Sequence, residues 1–395
     1  MVNYKKISYF FGQINCTYIV GIFFALSCID KLEYDLIKNG SDGIVIDGSI
    51  SNVDRPYVVE IKRTIPLGDL QKLYRPITGA EVAIFEDTGR SVRLTETQPG
   101  VYTSTNSNVI GQVGRSYWVN VKLVTGQVFQ SIPDTIVRSP ALDRIRKVYR
   151  EVVDSDGKKQ FYFDVFAKPK FERDAIKRLM WTFVGTHKVV TDPSCINVTR
   201  SGCNFNPAVA KCNFIPICSG LVNVGGTSIN PPINPPRFER QSPCTCCTCW
   251  YKTFNDEIIL SNLLTFSGEE VLVKSVPIDR YVFFSKLHVQ VTQRGLSTQT
   301  FNFWRSIVSQ KKGVKDLFQP AVGKVRGNLE QLSGNPVSVF GMFSAVSEQN
   351  ASFYILQDDV PNFDLIPALA VEALCANCLE LFPESTNVRP SFWVD

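Results

Sequence analysis

Six short runs of β-branched and aromatic residues most constrain what this chain can fold into: Ile44–Ile46, Tyr57–Ile61, Glu81–Phe85, Val92–Leu94, Tyr117–Leu123 and Gln127–Phe129. Gly, Pro, Asn or Asp separates each from the next, which is strand-and-turn chemistry and not helical periodicity. Val119, Val121 and Leu123 alternate with Asn120 and Lys122, the pattern of a sheet with one dry face. Asp87-Thr88-Gly89 and Thr125-Gly126 suit tight turns, because glycine takes the positive φ they require. The series predicts a small, Ig-like β-sandwich over residues 44–139.

Ser139-Pro140 marks the expected end of that sandwich, and residues 140–395 are expected to form a larger β-rich domain. Phe161–Phe166, Met180–Val184, Ile258–Leu260, Val271–Val273 and Tyr281–Gln293 read as its strands. Ser297 is placed to cap one helix, in which Phe301, Trp304 and Val308 fall on one face. Val325–Leu329 and Val337–Phe343, joined by Ser333-Gly334-Asn335-Pro336, are expected to pair as a hairpin. The stretch 195–249 breaks the pattern: it is rich in cysteine and proline and doubles Ile-Asn-Pro-Pro at 229–236. Too little of it is periodically apolar to build a core, so covalent staples are its expected source of order. The fold class expected is therefore mainly β, with at least one helix and a Cys-rich, Pro-rich insertion.

The start of the chain reads as an export signal. Lys5 and Lys6 precede an uncharged stretch that is densely apolar from Tyr18 to Leu26, and Ala25-Leu26-Ser27-Cys28 closes it. That order predicts a lipoprotein signal at 1–27, lipidation of Cys28 and a polar tether over 28–43, since multiple acyl chains hold a protein on a membrane where one does not. Plain secretion and an uncleaved anchor are the alternatives, although the apolar core is short against the roughly 20 residues of a span. Loss of Lys5 and Lys6 lowers the formal charge from +5 to +3 and leaves no basic block, which argues against a nucleic-acid partner.

Of the 12 cysteines, Cys16 lies in the leader and Cys28 at the lipid site. The rest are disulfide candidates in an oxidising compartment: Cys195, Cys203, Cys212, Cys218, Cys244, Cys246, Cys247, Cys249, Cys375 and Cys378. Four thiols between Cys244 and Cys249 would also suit zinc or copper(I), but zinc ligands are usually spaced wider and no histidine is near; disulfides are favoured and no metal is assigned. Pairing within the insertion stays open. Cys375 and Cys378 have redox-motif spacing without a thioredoxin-like context, so a structural role is expected. No catalytic residue is assigned. His187 stands near a strand end and His288 on a polar strand face, neither with a nucleophile motif beside it. Asp358-Asp359 reads as a solvated acidic pair, and Asp134-Thr135-Ile136 fits a loose O-glycosylation pattern. No cofactor is implied.

Thr78–Ile84 together with Pro99–Tyr102 resembles the transthyretin-like, or prealbumin-like, sandwiches of exported bacterial proteins. Across the chain, Ile44–Ile50, Gly79–Tyr102, Gly111–Gly114, Cys249–Tyr251, Phe303-Trp304, Leu317-Phe318, Val325–Asn328 and the closing cysteine pair with Phe392-Trp393 stand in a recognisable order. That order resembles domain of unknown function family 4249, a family of Bacteroidota outer-membrane lipoproteins. The resemblance implies attachment to the outer membrane through the N-terminal lipid, often beside a TonB-dependent β-barrel receptor, and no established activity. It makes a noncatalytic accessory subunit, binding substrate or the barrel, the expected function, exposed at the cell surface; a structural or adhesion lipoprotein is the alternative, and an extracytoplasmic hydrolase the weaker third.

Overall fold

The computed structural model describes residues 43–64, 75–104, 111–170, 176–192, 217–225, 237–263, 265–278, 286–313, 325–361, 366 and 377–394. The leader, Cys28 and the tether up to residue 42, as well as Cys195, Cys203, Cys212 and Cys375, lie outside them.

The fold is mainly β. In chain order the first strands are β1 Gly43–Ser51, β2 Val58–Arg63, β3 Arg75–Pro76, β4 Glu81–Glu86, β5 Ser91–Gln98, β6 Val101–Thr103, β7 Ser116–Lys122, β8 Val128–Ser131 and β9 Asp134–Thr135. Then come β10 Leu142–Val153, β11 Lys159–Pro169, β12 Leu179–Val190, β13 Leu221–Gly225, β14 Arg237–Arg240, β15 Thr248–Phe254, β16 Ile259–Leu260, β17 Val271–Pro277 and β18 Lys286–Gly295. Helix α1 Thr298–Gly313 follows, then β19 Leu329–Ser333, β20 Ser338–Phe340, β21 Phe343–Leu356 and the short helix α2 Cys378–Leu381.

The N-terminal strands make the expected two-layered sandwich. Alternation on β1 turns Ile44, Ile46 and Ile50 inward, where they meet Val59 and Ile61 of β2 and, from the other layer, Val82, Ile84, Val119, Val121 and Phe129. Each of these side chains contributes about 1.5–3 kcal/mol on full burial. Strand pairing nevertheless crosses the boundary expected at 139. β20 pairs with β1 in parallel and β19 pairs with β8 antiparallel, so late segments complete both layers. The expected hairpin is thus corrected: its two arms join ladders in opposite layers, each backbone finding a long-range edge, and are linked to each other by the Asn328 side chain, which accepts from the Phe343 amide at 3.0 Å.

β21 joins the two halves of the molecule. Phe343–Val346 continue the parallel pairing with β1, while Ser347–Leu356 pair antiparallel with β18. One hydrogen-bonded path therefore runs β15-β12-β18-β21-β1-β2-β6-β5-β4-β7-β8-β19 among the described residues. Between β20 and β21 the chain passes close to β1 at Gly341, whose φ of +102° suits glycine. A Cβ there would meet the Ile46 carbonyl oxygen at 2.1 Å, and one on Gly327 would meet the Gly341 carbonyl at 1.5 Å.

The second core lies between two sheets. Phe161, Phe163, Val165 and Ala167 of β11 face Trp181 and Phe183 of β12 and Leu287, Val289 and Val291 of β18. β11 is flanked by β10 and β17 in a separate three-stranded sheet. Helix α1 covers the opposite face of β12, where Phe301 packs with Met180, Leu296 and Val346. Its start follows the capping expected from sequence: the Thr300 amide donates to Ser297 Oγ at 3.1 Å. The buried carboxylate of Asp134 ties that turn to the sandwich, accepting from Thr300 Oγ1 at 2.7 Å and from the Ala345 amide at 2.8 Å.

Candidate functional site

An open-sided cleft of about 650 Å³ lies where the outer face of β1 and β2 meets helix α1 and the 340–346 segment. The alternation that buries Ile44 and Ile46 turns Val45, Asp47 and Ser49 outward, and in β2 it does the same for Val58 and Glu60; all five line the cleft. Phe303, Trp304 and Ile307 of α1 form the facing wall. Val325, Phe340, Met342 and Val346 close the side, and Arg294 of β18 reaches in beside Met180. A second cavity of about 410 Å³, on the β12 side, shares Met180, Arg294 and Trp304 with it. The size and the mostly apolar lining with a few polar groups are those of a small-molecule site.

Three charged side chains line the cleft: Asp47, Glu60 and Arg294. Asp47 and Glu60 stand opposite each other across the β1–β2 ladder, and Lys62 is ion-paired with Glu60. Asp47 is exposed to the cleft but loses part of its hydration to the protein around it. Desolvation therefore raises its pKa, with Glu60 adding to the rise while the Met342 amide and Lys62 oppose it. Arg294 donates its Nε to Glu348 Oε1 at 2.8 Å, and Arg55 donates to the same oxygen at 2.7 Å. The Glu348 side chain is wholly buried, so this carboxylate fixes Arg294 at the cleft wall.

The residues singled out from sequence lie elsewhere. His187 sits in β12, 1% exposed, edge-on to Tyr251 at 5.4 Å between ring centroids, and its Nδ1 has no hydrogen-bond partner among the described residues. Burial pushes its pKa down to about 4, so it stays neutral at physiological pH. His288, opposite Thr186 and therefore on the other face of the sheet from His187, stacks on Phe392 at 4.1 Å and meets Tyr354 edge-on. The two do not form a site together.

Asp359 is not a solvated acid. Desolvation works against its charged form, but Lys147 and the Leu356 amide outweigh that and hold its pKa low. Asp134 is buried in the contact to α1, and the Thr135 hydroxyl is engaged with Ser116 Oγ at 2.7 Å.

The cysteines form three disulfides among the described residues: Cys218–Cys246, Cys244–Cys247 and Cys249–Cys378. All four sulfurs of the 244–249 cluster are thus taken up as disulfides, which leaves no thiolate there for a metal. Cys378 reaches 129 residues back to Cys249. The helix it begins is further fixed by its amide donating to the Cys246 carbonyl at 2.9 Å.

Sequence reasoning missed Asp47, Glu60 and Arg294. Asp47 and Glu60 show in the sequence only as polar positions on strands, and nothing local shows that α1 packs over that face. A family model described as a domain of unknown function (DUF4249) matches residues 29–352. No curated protein matches the chain.

Proposed function

The chain belongs to the DUF4249 family, and on that premise we propose that it is a noncatalytic, ligand-binding lipoprotein of the outer membrane. In this reading Cys28 carries the lipid, the protein faces the cell exterior, and it serves as an accessory subunit of a TonB-dependent β-barrel receptor. The observation that carries the reading is convergence. Val45, Asp47 and Ser49, Phe303 and Trp304, and Val325 come from three of the stretches on which the family resemblance rests, which are far apart in sequence yet meet at one cleft. The cleft offers apolar walls and charges held by neighbours, an arrangement suited to holding a ligand.

Tagged full-length protein, solubilised in detergent from membranes that express the receptor, is expected to bring down a large β-barrel. Recovery of the protein alone would defeat the accessory-subunit reading. A Cys28→Ala variant is expected to leave the membrane fraction, and protease treatment of intact cells to digest the wild type; firm membrane attachment of the variant, or full protection, would defeat the anchor or its outward placement.

A further inference from the structure

The cleft presents opposite charge from opposite walls. On the β1–β2 wall two carboxylates, Asp47 and Glu60, face one ammonium, that of Lys62. Asp47 accepts one amide hydrogen, from Met342 at 3.3 Å, and has no ion-pair partner among the described residues. Its negative charge is the one on that wall not matched by a bonded cation. On the β18 wall Arg294 uses Nε for Glu348, and its terminal amino groups make no hydrogen bond to another described residue. Glu348 moreover divides one carboxylate oxygen between two guanidiniums, so the charge of Arg294 is only partly offset. Trp304, Phe303 and Phe340 supply aromatic surface to the same cleft. Aromatic faces and a low local dielectric both strengthen contacts to a bound charge.

We propose that this cleft binds a zwitterion with an apolar body, a short peptide with free termini. Its ammonium group sits on Asp47 and Glu60, its carboxylate on the terminal amino groups of Arg294, and its apolar side chains against Trp304 and Phe303. A ligand of one sign would satisfy one wall and oppose the other, whereas a neutral apolar ligand would desolvate Asp47 without a cation and the terminal amino groups of Arg294 without an acceptor. The inference rests on the ligand-binding part of the reading above and adds the ligand's chemistry.

The test uses full-length protein in detergent and a library of tripeptides of Ala, Leu, Phe and Trp, with N-acetylated and C-amidated copies. Retention is read by native mass spectrometry and affinity by calorimetry. Free tripeptides are expected to be retained, and acetylation and amidation each to weaken binding at least tenfold. Asp47→Asn is expected to weaken the free peptide about tenfold and to shrink the penalty of acetylation, which Glu60 still maintains in part, while the penalty of amidation persists in full. Reading the carboxylate contact by amidation leaves the Arg294–Glu348 pair intact, so a folding defect cannot imitate the result. Retention of no free tripeptide, or affinities for the three forms within twofold of one another, would overturn the proposal. Co-purification of a receptor alongside failed peptide binding defeats this inference alone; peptide binding without a receptor defeats only the accessory-subunit reading.

Discussion

The Nε of Arg294 lies 2.8 Å from Oε1 of Glu348, a carboxylate whose side chain has no exposed surface. Removing that carboxylate strands Arg294 at the cleft wall, where only part of its surface reaches water. Glu348→Ala is expected to cost about 3 kcal/mol in denaturant unfolding, the low end for a broken buried pair. Arg55 bonds the same oxygen but is 43% exposed, so Arg55→Ala is expected to cost less than about 1 kcal/mol. Equal losses in the two variants would contradict this division.

His187 makes stability depend on acidity. Its folded pKa of about 4 lies below the ordinary value of 6.5, so the folded protein resists a proton that the unfolded chain accepts. The contribution is complete above pH 6.5 and is lost as pH falls from there toward 4, amounting to about 3 kcal/mol. His187→Phe keeps an edge-on ring contact to Tyr251 and removes the titration. Thermal melts at pH 7.5 and 4.5 are expected to differ less for the variant than for the wild type.

Cys249–Cys378 closes a far longer loop than Cys244–Cys247, with sequence separations of 129 and 3. In the chain-entropy account the first contributes about 5 kcal/mol and the second about 2 kcal/mol. Paired alanine replacements of each disulfide, compared by chemical unfolding, are expected to rank in that order. The reverse ranking would mean that α2 holds its place without the bond.

Two glycines with similar backbone angles should respond differently to alanine. Gly89, at φ +88°, has open space where a Cβ would go, so Gly89→Ala is expected to cost about 1 kcal/mol from backbone conformation. Gly341→Ala adds a collision with the Ile46 carbonyl and is expected to cost more than about 3 kcal/mol. Because Gly341 also lines the cleft, ligand binding should fall in that variant; Gly89→Ala should leave binding unchanged.

The strands that were legible in sequence are those whose own residues alternate. Val119 and Val121 announce β7, and Ile44 and Ile46 announce β1, because burial on one face leaves a period of two. β10 was obscured by Arg144, Arg146, Lys147 and Arg150. Two of these arginines lie over aromatic rings of β11, Arg146 on Phe166 and Arg150 on Tyr162. β21 was hidden by its polar middle, Ser347–Asn350, where Glu348 is buried on an arginine pair and not on apolar surface. Pairing was the least legible property. The turn at Gly334 is visible in sequence, but nothing local tells Ser338 to join Gly43 while Leu329 joins Ser131. The cleft inherits that difficulty, since its walls come from β1, β2, α1, β18 and the 340–346 segment.

The parallel pairing of Gly43 with Ser338 also sets a timetable. At synthesis rates of about 5–20 residues per second, β1 emerges roughly 15 to 60 s before the strand that lies alongside it exists. Until then one edge of the first layer is bare and Ile44, Ile46 and Ile50 cannot be fully enclosed. The nascent chain must therefore be kept from pairing with itself or with others until almost all of it has been made. A late stop codon before residue 338 would consequently leave an aggregation-prone fragment rather than a smaller working sandwich.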